Sequence, residues 1–246
     1  MHVFRSPRFA GNALLEEILN DPDTGELKLG PGSPANAVLP VQQALFDLQW
    51  TQTLRPPVLE RSVFVIGIYG PLTTRTVLNY KEHYDIHFPP DEPTGFVDGF
   101  TGPRTLNKLD HQCVLFDECD AAIAAKAVEV GAATGVQYNL PTFPVLGTTG
   151  AMRLSSSGGP PGEISRISYK RHVGAFLVTS TFFHAYQQHG EETGPLGFPI
   201  ADETFDGAAI VQSFENGSLR AENGAVAVEI TGPDDGAPIF FDADSF

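Results

Sequence analysis

Gly67-Ile68-Tyr69-Gly70-Pro71-Leu72-Thr73 and, further on, Asp98-Gly99-Phe100-Thr101-Gly102-Pro103-Arg104-Thr105 follow one grammar. Each sets a glycine turn, then a proline, then a threonine two residues later. Glycine gives the turn its backbone freedom, and proline suits a first helical position, where its missing N–H costs nothing. Each stretch thus predicts a turn feeding a helix. One helix is expected over Pro71 to Tyr84, capped by Thr73, with Val77, Tyr80 and Tyr84 inward. The other is expected from Pro103 to about Leu109. Before them, Val38, Val41, Leu45 and Leu48 recur at the spacing of a single buried helical stripe. Pro40 is expected in the first turn of that helix, and Trp50 closes it. Three helices with facing stripes predict one helical core.

Outward from this core the chain reads as four stretches. Residues 1–28 form an N-terminal extension with one amphipathic helix, where Leu14, Leu15, Ile18 and Leu19 share a face. Residues 29–110 hold the helical core, including an apolar Pro-Pro insert at 51–66 whose Val63-Phe64-Val65-Ile66 reads as strand or tucked loop. Residues 111–139 read as a connecting helix, Ala-rich from about Asp110 to Val130, and a linker. Residues 140–246 read as a smaller mixed module. Its strand signals are Ile164 to Tyr169, Ala208 to Phe214 and Ala225 to Ile230. It has one helix, about Ala175 to Gln188, a loop at Ser155 to Gly162 and an acidic tail. The expected fold class is α+β.

The formal charge of −15 over 246 residues argues against broad electrostatic binding to nucleic acid or an anionic membrane. No apolar run reaches the roughly 20 residues of a membrane span. Leu14-Leu15 runs into Glu16-Glu17, so no Sec export signal is expected. Two cysteines, Cys113 and Cys119, are too few for a disulfide framework and read as small buried hydrophobes.

The helical stretch resembles the peptidoglycan-binding-like domain family. Val38, Val41-Gln42, Leu45, Leu48 and Trp50 match its first helix. Gly67, Tyr69, Gly70, Thr73, Val77 and Tyr80 match its central block, and Asp98, Gly99, Gly102, Thr105 and Leu109 its closing block. Gln49 and Lys81 depart from it, and both linkers are long. Around 172–220 the chain resembles the LGFP repeat of bacterial cell-wall-associated proteins. Gly194-Pro195-Leu196-Gly197-Phe198-Pro199, Gly190, Phe214, Gly217 and Leu219 carry the match, with Tyr186 where that repeat has Trp.

No catalytic constellation stands out. His83 and His87 are four apart, a metal-compatible helical spacing, but they lack the zincin Glu; Asp85 or Asp91 would have to complete a site. Asp110, His111 and Cys113 crowd into one helical turn, where adjacent side chains diverge. Asp234, Asp235, Asp242 and Asp244 lack EF-hand spacing. The expectation is no enzyme, no metal and no cofactor. Tyr69, Tyr80, Tyr84 and Trp50 either line a groove that stacks on sugar or fill a small core. The ligand contacts assigned on this basis are Tyr69, Thr73, Tyr80, Asp98 and Phe198.

What the resemblances imply is a non-catalytic protein that binds or anchors to bacterial peptidoglycan or glycan, at the envelope or outside the cell by a non-classical route. The alternative is a structural or cargo docking component of a phage-tail-like or contractile injection assembly, formed in the cytoplasm. There the same fold would contact other proteins.

Overall fold

A computed structural model describes residues 2–22, 26–50, 66–88, 95–145, 147–155 and 164–231. The chain is mixed α and β, with five α-helices and two four-stranded antiparallel sheets among the described residues. It divides into two compact units, Met1–Leu115 and Phe116–Phe246. The expected insert run Val63–Val65, Asp91, most of the loop at Ser155 to Gly162 and the acidic tail lie outside the described residues.

The first unit holds α1 (Ala13–Leu19), α2 (Ala35–Asp47), α3 (Pro71–His83) and the start of α4 (Pro103–Thr134). Val41, Leu45, Val77 and Leu109 are fully buried. The N-terminal stretch belongs to this unit's core, because Phe4, Phe9, Leu15 and Ile18 are buried. The Asp110 carboxylate accepts the backbone N–H groups of Arg5 and Ser6 at 2.8–3.1 Å. Three local expectations change. Pro40 lies inside α2, not in its first turn, because the helix already starts at Ala35. Proline cannot donate to the carbonyl four residues back; the Asn36 carbonyl instead accepts from the Asn12 side-chain amide at 2.9 Å. Thr73 does not cap α3, whose N-cap is Gly70. Its hydroxyl is buried and accepts from Gln42 at 2.9 Å. The two helices expected over Pro103–Val130 are one, since nothing between them breaks the ladder.

The second unit begins within α4. Cys119, Ile123 and Val130 pack with Tyr138 against Ala151, Ile167 and Tyr169 of the first sheet, which is why this half of the helix belongs here. That sheet runs β1 (Phe143–Val145), β2 (Gly150–Leu154), β3 (Arg166–Lys170), β4 (Gly174–Val178) in sequence order. The helix expected from about Ala175 starts later: Gly174–Val178 is strand, and α5 runs over Ser180–Gln188. Thr179 caps α5 by accepting from the Thr181 N–H. The second sheet repeats the meander as β5 (Thr204–Phe205), β6 (Ile210–Phe214), β7 (Gly217–Glu222), β8 (Ala225–Ile230).

Alternate strand residues face opposite ways, and this orders the unit in layers. Ile167 and Tyr169 face α4, while Arg166 and Ser168 on the other face bond Glu191 and Glu192 of a short 3-10 turn after α5. Phe182 and Tyr186 of α5 pack on Phe214 and Leu219 of the second sheet. The order is helix, sheet, helix with its following turn, sheet.

Candidate functional site

The Gly67–Gly70 turn is held from within. Gln42 on α2 accepts the Gly67 N–H at 2.9 Å and donates to the Ile68 carbonyl at 2.9 Å. This sets Tyr69 inward, 2% exposed, where its hydroxyl donates to the Gly99 carbonyl at 2.8 Å and meets Thr101 Oγ1 at 3.0 Å. Burial raises the Tyr69 phenol well above its ordinary pKa, with Asp98 adding to it and the Thr101 bond opposing. Tyr80 is also fully buried, donates to Gln112 at 2.9 Å, and its pKa is raised chiefly by burial. Tyr69 thus ties the first glycine turn to the second. Its ring and that of Tyr80 are covered, so neither can stack on a sugar.

Phe198 lies in the second unit and is 1% exposed. Its ring sits against Gly150, where an added Cβ would collide with it, and Lys170 lies 5.3 Å from its centroid. Gly197, at φ +72°, and Tyr186, donating to the Gly197 carbonyl at 2.8 Å, shape this turn. Four of the five assigned contacts, Tyr69, Thr73, Tyr80 and Phe198, are therefore core residues. The stacking role proposed for the rings is corrected by their burial.

Asp98 is different: it lines a cleft. Lys81 of α3 donates to the Asp98 carboxylate, and Asp98 also accepts the Phe100 N–H at 3.3 Å. Arg104, in the first turn of α4, donates to the His87 carbonyl. Lys28 lies 4.4 Å from the Phe100 ring centroid. A Leu29–Thr101 bridge brings Lys28 here, and Gly30 leaves room for the Phe100 ring. Ile86, Phe88 and Pro103 complete the walls. The cleft holds about 30 Å³, room for a water or two but not a sugar ring. Among the described lining residues three side chains are cationic and one is a carboxylate. Such a site can take a small anionic group next to an apolar one.

Lys28, Lys81, Phe88, Phe100 and Arg104 are the site residues that sequence reasoning missed. Lys81 alone left a signal, as a charge four residues after Val77 on a stripe of buried positions. The remaining histidine and cysteine candidates lie apart from this cleft's lining. His83 packs on Trp50 and Tyr84, with centroids 4.9 and 4.7 Å away, and His87 pairs with Asp85 at 3.2 Å. Cys113 is buried near Arg8, at 3.4 Å. Cys119 is buried, and burial, reinforced by Glu118, pushes its thiol up to about 12. Among the described residues no group of three or more His, Cys, Asp or Glu could hold a metal ion. No described helix is long and apolar enough to cross a membrane.

No protein-family model matches the chain, and no curated protein matches it.

Proposed function

We propose that this is a non-catalytic binding protein of the bacterial cell wall. In this reading the first unit is a three-helix peptidoglycan-binding-like bundle and the second carries one LGFP-like module. The observation that carries it is the cleft at the Lys81–Asp98 pair, lined by Lys28, Arg104, Phe88 and Phe100. It lies on the closing block of the resemblance. Its cationic side chains suit a carboxylate of the peptide part of the wall better than the hydroxyls of the glycan.

The test is retention on purified sacculi. Lys28 is exposed, so Lys28→Glu should leave melting unchanged. It should weaken retention about fivefold or more, the worth of an exposed charge pair near 1 kcal/mol. An unretained wild type, or equal retention of the variant, sinks the reading. A second reading, the docking component of a phage-tail-like or contractile injection assembly, is favoured by one observation: Phe205 in the second sheet is 70% exposed. A defined protein partner with no sacculus retention would select it.

A further inference from the structure

The second sheet has one long open edge, β8. That strand pairs with β7 over six consecutive residues, with no bulge. The Thr231 N–H donates to the Asn216 carbonyl at 2.8 Å, one step beyond the Gly217–Ile230 pair. Opposed residues of antiparallel strands alternate between bonded and unbonded pairs. Ala225, Ala227 and Glu229 therefore bond to β7, and Val226, Val228 and Ile230 turn their N–H and C=O groups outward. Among the described residues no acceptor meets these three N–H groups. The strand, AVAVEI, also lacks the lysine or proline that commonly blunts an edge. The edge of β4 differs: there Asp202 accepts the Leu177 N–H at 2.9 Å and Glu203 the Thr179 N–H at 3.1 Å.

The sequence that follows Thr231 matches this edge in three separate ways. First, Gly232-Pro233-Asp234-Asp235-Gly236-Ala237 has the composition of a hairpin turn, with proline at the second position of a type I turn and glycine at the end of the loop. With 233–236 as a four-residue loop, Ile239 falls opposite Ile230 and Phe241 opposite Val228. Second, Pro238 then falls opposite Thr231, an unbonded position, so its missing N–H is on the side away from β8. Third, opposed residues share a face, and Val228 packs against the buried Phe214 and Leu219. Ile239 and Phe241 thus extend the apolar face, next to an Ile230 that is 48% exposed. A shift of one residue would lose both matches, turning Pro238 towards β8 and the two apolar side chains to the opposite face.

We propose that residues 237–243 dock on the outer edge of β8 as a fifth strand, and that this strand guards the edge against pairing with other chains. The occupant is a segment of the chain itself, delivered by a turn directly from the strand it covers. A second copy offers no such tether and would have to find the same edge from solution. The inference is independent of the wall-binding reading.

The test is amide exchange by NMR on the full ¹⁵N-labelled chain in dilute solution, beside a chain stopped after Thr231. In the full chain the Val226, Val228 and Ile230 amides should exchange about tenfold or more slowly than in the shortened one. Amide–amide contacts should join Ile230 to Ile239 and Val228 to Phe241. Two proline variants read the register. Ile239→Pro removes a donor that faces β8 and should abolish the protection; Phe240→Pro removes one that faces solvent and should keep it. Protected amides between β6 and β7 show in each case that the sheet itself is folded. Equal exchange in the full and shortened chains, contacts in another register, or the same effect from both prolines would overturn the proposal. Protection that grows with protein concentration would assign the edge to a second copy and overturn it too. The shortened chain should also self-associate at lower concentration than the full one, and equal association would refute the guarding role.

Discussion

Lys81 is 4% exposed, and its ammonium is held by the Asp98 carboxylate in the wall of the cleft. Removing one member of a buried pair strands the other charge, which costs about 3–5 kcal/mol, whereas replacing both with apolar residues is often close to neutral. Asp98→Ala should therefore lower stability by roughly that amount, and Lys81→Met with Asp98→Leu should recover most of it in urea titrations. Any ligand reading of the cleft needs this control, because Asp98→Ala would lose binding by unfolding as well as by chemistry. Cys119 offers a second test. Its thiol is shifted from 9.0 to about 12 by burial. The unfolded chain releases this proton first, so between pH 9 and 12 the folded state binds more protons and stability falls as pH rises. Cys119→Ala should flatten that part of the profile. At neutral pH Cys119 should resist alkylation until the chain is denatured.

At the scale of elements, α2 shows what a sequence can and cannot disclose. The stripe Val38, Val41, Leu45, Leu48 was legible because all four positions lie on one face, and all four are buried. Leu45→Ala should cost about 2–5 kcal/mol by leaving a cavity, read as a drop in the denaturation midpoint. The start of the same helix was not legible. Pro40 invites a first-turn placement, yet the helix begins at Ala35 because Asn12 supplies the donor that the Asn36 carbonyl loses. The two asparagines are 24 apart in sequence, so no local pattern announces the bond. Asn12 also caps α1 by accepting the Leu15 N–H at 3.2 Å. Asn12→Ala should cost about 1–2 kcal/mol, at the upper end for a cap, in thermal or urea melts. The strands divide the same way. β3, β6 and β8 were readable from their apolar runs. β4, Gly174–Val178, took the pattern of an approaching helix and is fixed as strand by its pairing to β3. The rings of the central block were visible as a set, but their choice between groove and core depended on Gln42 and Thr101, which lie on other segments.

At the scale of the molecule, charge and site pull in opposite directions. Composition alone, with a net −15, predicts repulsion from anionic wall polymers and binding that salt leaves unchanged or slightly improves. In the wall-binding reading, the described cationic side chains of the cleft, Lys28, Lys81 and Arg104, add a local attraction that Asp98 offsets in part. These two contributions have different ranges. The repulsion is summed over the whole chain and acts across tens of ångströms, so it fades first, as the screening length shrinks from about 30 Å at 0.01 M to about 10 Å at 0.1 M salt. The attraction in the cleft acts at contact distance and persists until screening lengths near 3 Å, at about 1 M. If the cleft is the wall site, sacculus retention should rise between about 0.01 and 0.1 M salt and fall towards 1 M. Lys28→Glu should keep the rising limb, because a change of two charges barely alters a total of −15, and should lower and flatten the falling one. A curve that only rises would mean that the cleft contributes nothing to binding. One that only falls would mean that the acidic surface lies too far from the contact to matter.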